Sequence, residues 1–229
     1  MTLKQEQFNR AMALYAATPY YKAFGVLVAT AILALQLYLA CRIGPLSIGP
    51  FWQSFVFLAA YLVADFVNGL VHLYMDHNDH YDWLGGPLVA NFHLHHRRLR
   101  YKPRPLPLVY FLESGSKIWL LGVLALVALW LPFLSPAVLY FLLYFGVLSS
   151  VAEVSHYLCH NSKAPLVSKL ARFGLLLPRR HHALHHRGDN VNYAFLNGLT
   201  DPLINWIASK AYPGYKETTD LHFKEYRIR

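Results

Sequence analysis

The chain has 229 residues, of which 14% are charged and 55% hydrophobic; soluble domains carry about 25% charged residues, so this is the composition of a membrane protein. Disorder is excluded by the hydrophobicity, and a disulfide scaffold by the presence of only two cysteines. Thirteen histidines outnumber the twelve Asp plus Glu, under a net charge of +9, and because imidazole is the commonest metal ligand, their clustering asks for a metal explanation.

The predicted architecture is an all-α integral membrane protein, a single membrane domain over 1–229. After a basic N-terminal arm, apolar windows of spanning length, about 20 residues, occupy 23–41, 51–72, 118–134 and 137–159. Asp65 and Glu153 are the only acidic or basic residues in them apart from histidine. Short connections pair the four transmembrane helices as two hairpins, joined by a long histidine-bearing loop over 73–117. Of the Lys and Arg residues only Arg42 falls in a short connection, so the positive-inside rule makes both termini, the long loop and any site built there cytoplasmic. Cys41 and Cys159 then sit at opposite ends of helices and cannot pair. The first span is an anchor rather than a signal peptide, given its 22-residue arm and Tyr38 at a would-be cleavage site.

Beyond the fourth span, 163–180 alternates Lys163, Lys169, Arg172, Arg179 and Arg180 with leucines and Phe173, the pattern of an interfacial helix. The stretch 191–212 is apolar but broken by Asn197-Gly198 and Asp201-Pro202, hence interfacial or re-entrant. Together they make an interfacial, histidine-bearing region over 160–212, followed by a polar, uninformative tail, 213–229. The basic surplus reads as topology and contact with anionic lipid, with no nucleic-acid recognition pattern.

The histidines fall at the cytoplasmic ends deduced from Lys and Arg alone. Asp65, Asn68, His72 and Asp76 share one helical stripe at i, i+3, i+7 and i+11, and Ser149, Glu153, His156 and His160 share another at i, i+4, i+7 and i+11. Glu153-x-x-His156 has the spacing of carboxylate-bridged metal sites in helical bundles. His182, His185 and His186 lie on one further face, and the long loop adds His93, His95 and His96. Polar groups within lipid face the bundle interior, so the clusters converge, with enough imidazole for two ions. His80 and His222 read as surface or capping residues. Asp65 is either a partner orienting His72 or a packing hydrogen bond. A metal transporter or sensor is the reading from another class, disfavoured because the clusters gather at one set of helix ends rather than the midplane. A zinc hydrolase lacks its His-Glu-x-x-His.

These residues resemble the membrane lipid desaturase family that includes the plasmanylethanolamine (Kua-type) desaturases, their bacterial relatives and the plant chloroplast phosphatidylglycerol desaturase. The likeness runs from Ala64 to Trp206. It is carried by Ala64-Asp65-Phe66, Gly69-Leu70-Val71-His72, Asp76, His95-His96, His156-x3-His160, the run from Leu177 to His186, and Tyr193 to Gly198. The resemblance implies two Fe ions, O2 as co-substrate, a membrane phospholipid substrate, and an electron donor such as cytochrome b5 or ferredoxin with its reductase. It implies His72, His95, His96, His156, His160, His182, His185 and His186 as ligands, with Asp76 and His181 near the site; His77 and His93 are additional to the family pattern and stand as further candidates, and Asp76 and Glu153 are the carboxylates expected to act at the site. Asp65, Asp189 and Asn190 would support the ligands, while Arg97, Arg98 and Arg100 would meet the lipid headgroup. The expected reaction is formation of a C=C bond near the glycerol end of an alkyl or acyl chain, with hydroxylation the alternative for the same centre.

Overall fold

The computed structural model describes residues 1–97 and 101–227; Arg98 and Arg100 lie outside the described residues. The helices are α1 (Leu3–Ala17), α2 (Pro19–Ile43), α3 (Pro50–His77), α4 (Gly86–His93), α5 (Leu106–Ser114), α6 (Ile118–Trp130), α7 (Pro136–Asn161), α8 (Pro165–Arg172), α9 (Arg179–His185) and α10 (Asp201–Ala211). Short 3-10 turns occur at Leu94–His96, Leu131–Phe133 and Thr219–Leu221, and no strand occurs among the described residues. Proline opens α2, α3, α7 and α8 in the first turn, where its missing N–H removes no intrahelical bond.

Three helices are long and apolar enough to cross a membrane, α2, α3 and α7. At 1.5 Å per residue the 28 residues of α3 reach about 42 Å, well beyond a hydrocarbon core about 30 Å thick. The last two turns of α3 carry His72 and Asp76. The expected span at 118–134 is different: α6 has only 13 helical residues, and with α5 it forms a pair bent by 86°. The break is at Gly115, Ser116 and Lys117. A Cβ at Gly115 would meet the Gly25 carbonyl oxygen at 2.3 Å, so the missing side chain at Gly115 is what lets the bend press against α2.

The most extensive helix contact is α3 on α7, while α2 packs on α5, α6 and α7. Leu39, Ala60, Leu120, Leu124 and Ala152 are fully buried in this core. Gln36 Nε2 donates to the Gly146 carbonyl (3.0 Å) and Ser150 Oγ (3.1 Å), and Tyr110 donates to Gln36 Oε1 (2.7 Å). Such interhelical bonds contribute about 0.6 kcal/mol each in a membrane, so they set register more than stability.

Asp65 is fully buried in α3 and accepts from the backbone N–H groups of Leu196 (3.2 Å), Asn197 (2.9 Å), Gly198 (3.2 Å) and Thr200 (3.1 Å), and from the Thr200 hydroxyl (2.7 Å). Those donors offset the cost of a carboxylate away from water. Asp65 thereby ties the chain between α9 and α10 to α3, and its oxygens serve that loop. Nearby, Gly69 admits the close approach of α10, since a Cβ there would lie 2.4 Å from Ile204 Cδ1.

The stretch expected as one interfacial helix is the short α8, none of whose residues is buried, followed by a turn at Gly174 (φ 70°) and then α9. Both cysteines are free thiols.

Candidate metal centre

The C-terminal turns of α3 and α7, the 3-10 turn after α4, and α9 meet at one end of the bundle, where donor atoms gather in two groups. The first holds His72, Asp76, His95, His96 and His185, and the second His156, His160 and His182; within each group the donor atoms lie within 4.8 Å of one another. In the first group Asp76 Oδ2 is 3.5 Å from His72 Nε2 and 3.4 Å from His185 Nε2, and Asp76 Oδ1 is 3.2 Å from His96 Nε2. Donors sharing an ion at roughly 2.1 Å are spaced by about 3.0–3.4 Å; two of these separations fall in that range and the third, at 3.5 Å, is just beyond it, so the set is close to what a common cation requires.

Hydrogen bonds on the far side of the rings fix which nitrogen faces inward. His72 Nδ1 donates to the Tyr193 carbonyl (2.8 Å), His95 Nδ1 to the Phe92 carbonyl (2.9 Å) and His185 Nδ1 to the Val191 carbonyl (3.0 Å). A carbonyl only accepts, so the proton sits on Nδ1 and the Nε2 lone pair is presented to the site. His96 Nδ1 donates to Asp220 Oδ1 (2.8 Å). Buried His72 Nε2, His95 Nε2 and both Asp76 oxygens have no hydrogen-bond partner among the described residues. Buried polar atoms rarely go unmet in a folded protein, and a cation answers all four at once.

In the second group His156 Nε2 is 2.9 Å from His182 Nε2 and 3.1 Å from His160 Nε2, and His186 Nε2 is 3.0 Å from His182 Nε2. Imidazole nitrogens converging this closely repel unless a proton or metal ion lies among them. The His186 ring is also 5.3 Å from those of His95 and His96, so it stands between the groups. Imidazole and carboxylate donors without thiolate suit iron or zinc rather than the soft-metal sites.

Charge state agrees with a ligand role. Burial, and then crowding by neighbouring imidazoles, holds His95 and His182 well below the ordinary histidine range; burial does the same for His185 despite Asp76. These rings are neutral at physiological pH, as ligation requires. His96 differs: burial lowers it, but the carboxylates of Asp76 and Asp220 overcome that and raise it to about 9.

The other residues singled out in the sequence lie outside both groups. Glu153 pairs with buried Lys117 (2.9 Å), whose Nζ also donates to the Ser149 carbonyl (2.8 Å) and to Asn68 Oδ1. His77 donates to the Leu73 carbonyl (2.9 Å) and packs on Tyr212. His93 bridges Tyr81 (2.8 Å) and the Met75 carbonyl (2.7 Å), and burial pushes it down to about 4. His181 is bonded to Asp201 (2.6 Å). Asn190 accepts from Tyr193 (2.7 Å), and Asp189 accepts from the Tyr215 N–H (2.8 Å). Arg97 donates to the Phe223 and Tyr226 carbonyls, holding the C-terminal segment. Sequence reasoning missed Lys117, Tyr101, Tyr215 and Asp220. Tyr101 touches the second group, its hydroxyl 3.3 Å from His156 Nδ1.

The family described as the lipid desaturase domain matches residues 61–209. The chain belongs to that family. All eight candidate histidine ligands and Asp76 lie inside the matched segment of this lipid desaturase family member. It is 27% identical over 177 residues to the plasmanylethanolamine desaturase of Myxococcus xanthus, an alignment covering 74% of this chain. The chain spans about three-fifths of that relative's length, the covered share being 62%. No solved structure matches the chain.

Proposed function

We propose that this lipid desaturase family member is a di-iron enzyme that forms a C=C bond near the glycerol end of a phospholipid alkyl or acyl chain. Two adjacent methylenes, O2, two electrons and two protons give the alkene and two waters, the electrons coming from an external donor such as cytochrome b5 or ferredoxin with its reductase. The observation that carries this reading is the pair of buried donor groups, separated by ring distances of only 6.3 Å from His72 to His156 and from His72 to His182.

One ion is assigned to His72, Asp76, His95, His96 and His185, and the other to His156, His160 and His182, with His186 between them. Iron bound there supplies O2 activation and hydrogen abstraction, which side chains alone lack. The chain's own residues contribute position and dryness. Backbone carbonyls hold three first-group rings by Nδ1, leaving Nε2 fixed in direction. Phe195 packs on His72 (5.5 Å) and His156 (5.4 Å), and Phe92 packs on His72 and His95, so aromatic surface keeps water from the inner side. Asp76 places negative charge against the first group.

The donors gather at helix ends, assigned to the cytoplasmic side by the distribution of Lys and Arg. A lipid whose headgroup meets the exposed Lys169, Arg172, Arg179 and Arg180 keeps its first methylenes at that depth, with mid-chain carbons about 10 Å farther in. The name of the Myxococcus relative supports an ether-linked alkyl chain as substrate. Expression in a host lacking such lipids, followed by mass spectrometry that locates double bonds, tests the proposal. A new bond within the first few carbons of an intact phospholipid is expected; a hydroxylated product would make the protein a hydroxylase, and a mid-chain bond on a free thioester would contradict the depth assignment.

A further inference from the structure

The family match ends at residue 209, yet the next stretch of chain reaches back to four of the candidate ligand residues. Asp220 Oδ1 accepts from His96 Nδ1 at 2.8 Å. Thr219 donates its hydroxyl to the Asp76 carbonyl, buried Tyr215 donates to the carbonyls of His185 and Gly188 (3.1 Å to the latter), and Lys216 Nζ donates to the His186 carbonyl at 2.9 Å. Lys216 also pairs with Asp220 Oδ2 at 2.8 Å, so both carboxylate oxygens are engaged and the group cannot swing away from His96. The segment is itself held down: Phe223 is buried against Phe8 of α1, and Arg97 donates to the Phe223 and Tyr226 carbonyls.

Among the first-group histidines, His96 has no backbone carbonyl on Nδ1; its place is taken by Asp220. We propose that Asp220 is a positioning residue for the metal centre: it fixes the His96 ring with Nδ1–H outward and Nε2 toward Asp76, and the segment from Tyr215 to Phe223 clamps the ligand-bearing backbone around it. This rests on the metal reading of the two groups. A carboxylate behind a ligating imidazole orients the ring and raises its basicity, and losing such a partner costs typically 10–100-fold in metal affinity. An alternative role, simple packing of the C-terminus, would lower stability without singling out one ion.

The test uses the full chain in detergent, with metal per chain measured against graded chelator, and thermal unfolding of the metal-free protein measured in parallel. Asp220→Ala is expected to weaken retention of one of the two ions by 10–100-fold while the other is held as in the parent. Asp220→Asn keeps an acceptor for His96 Nδ1 and is expected to fall between parent and alanine variant. Glu217→Ala, exposed on the same segment, is the control and is expected to match the parent. Equal retention of both ions in Asp220→Ala and the parent overturns the inference alone. So does a loss in Asp220→Ala that touches both ions equally and follows its melting temperature. A parent chain that binds no metal overturns the underlying reading instead.

Discussion

The two donor groups lie side by side and are built differently. In the first, Asp76 contributes an anionic donor, and four imidazoles are each pinned through Nδ1, three by carbonyls and one by Asp220. In the second, no carboxylate stands among the grouped donors, and the Nδ1 atoms of His182 and the neighbouring His186 have no hydrogen-bond partner among the described residues, while the Tyr101 hydroxyl lies 3.3 Å from His156 Nδ1. Pinned rings lose little freedom on ligation and an anionic donor offsets cation charge. The first group is thus held by an anionic donor and four pinned rings, whereas His182 in the second is less constrained, so on the di-iron reading two chemically similar ions should not be held alike.

The largest expected effect comes from deleting a ligand on either side. His185→Ala removes a first-group donor and His182→Ala a second-group donor. Each should lower lipid desaturation at least about a hundredfold, since the proposed reaction needs both ions, while the metal remaining should differ between them. Full activity in either variant would remove that residue from the centre. Asp76→Asn comes next, because it makes the first group as neutral as the second. Retention of the first ion should fall about 10–100-fold, and chelator curves for the two ions should converge.

How legible this was in the sequence differs between the same two groups. His72 with Asp76 and His156 with His160 follow helical periodicity on apolar helices, so both stripes and their meeting could be read directly. Glu153 shared that periodicity, but its charge is taken by Lys117, which sits just before the apolar run of α6 and folds inward at the bend. The break between α5 and α6 was hidden for the same reason: hydropathy records an apolar run over 118–134 and not the close glycine contact at Gly25 and Gly115. Asp65, on the His72 stripe, turned out to serve a backbone loop more than a hundred positions away. The polar tail gave no signal because Tyr215 and Asp220 have no repeat, and Asp220 meets His96 across 124 positions. Contacts that are local in sequence were readable; those closing the site from a distance were not.

A subtler difference should appear on chelation of the unmodified protein. Metal should leave in two phases, the faster from the second group, and the slow phase should persist in His156→Ala but vanish in His72→Ala. Loss of both ions in one phase would show that the groups are equivalent. The smallest effect is expected at His222, whose Nδ1 is bonded to the Tyr81 hydroxyl at 2.9 Å and which belongs to neither group. His222→Ala should cost about 1 kcal/mol of stability or less and leave desaturation unchanged.

All of these depend on two ions being held by one chain. Elemental analysis of the purified full-length protein, paired with Mössbauer spectra of iron-57-enriched material, measures this directly. Two irons per chain are expected, in two inequivalent sites. A single zinc, or a chain that purifies folded and cannot take up iron, would contradict a di-iron centre at His72, His156 and their neighbours.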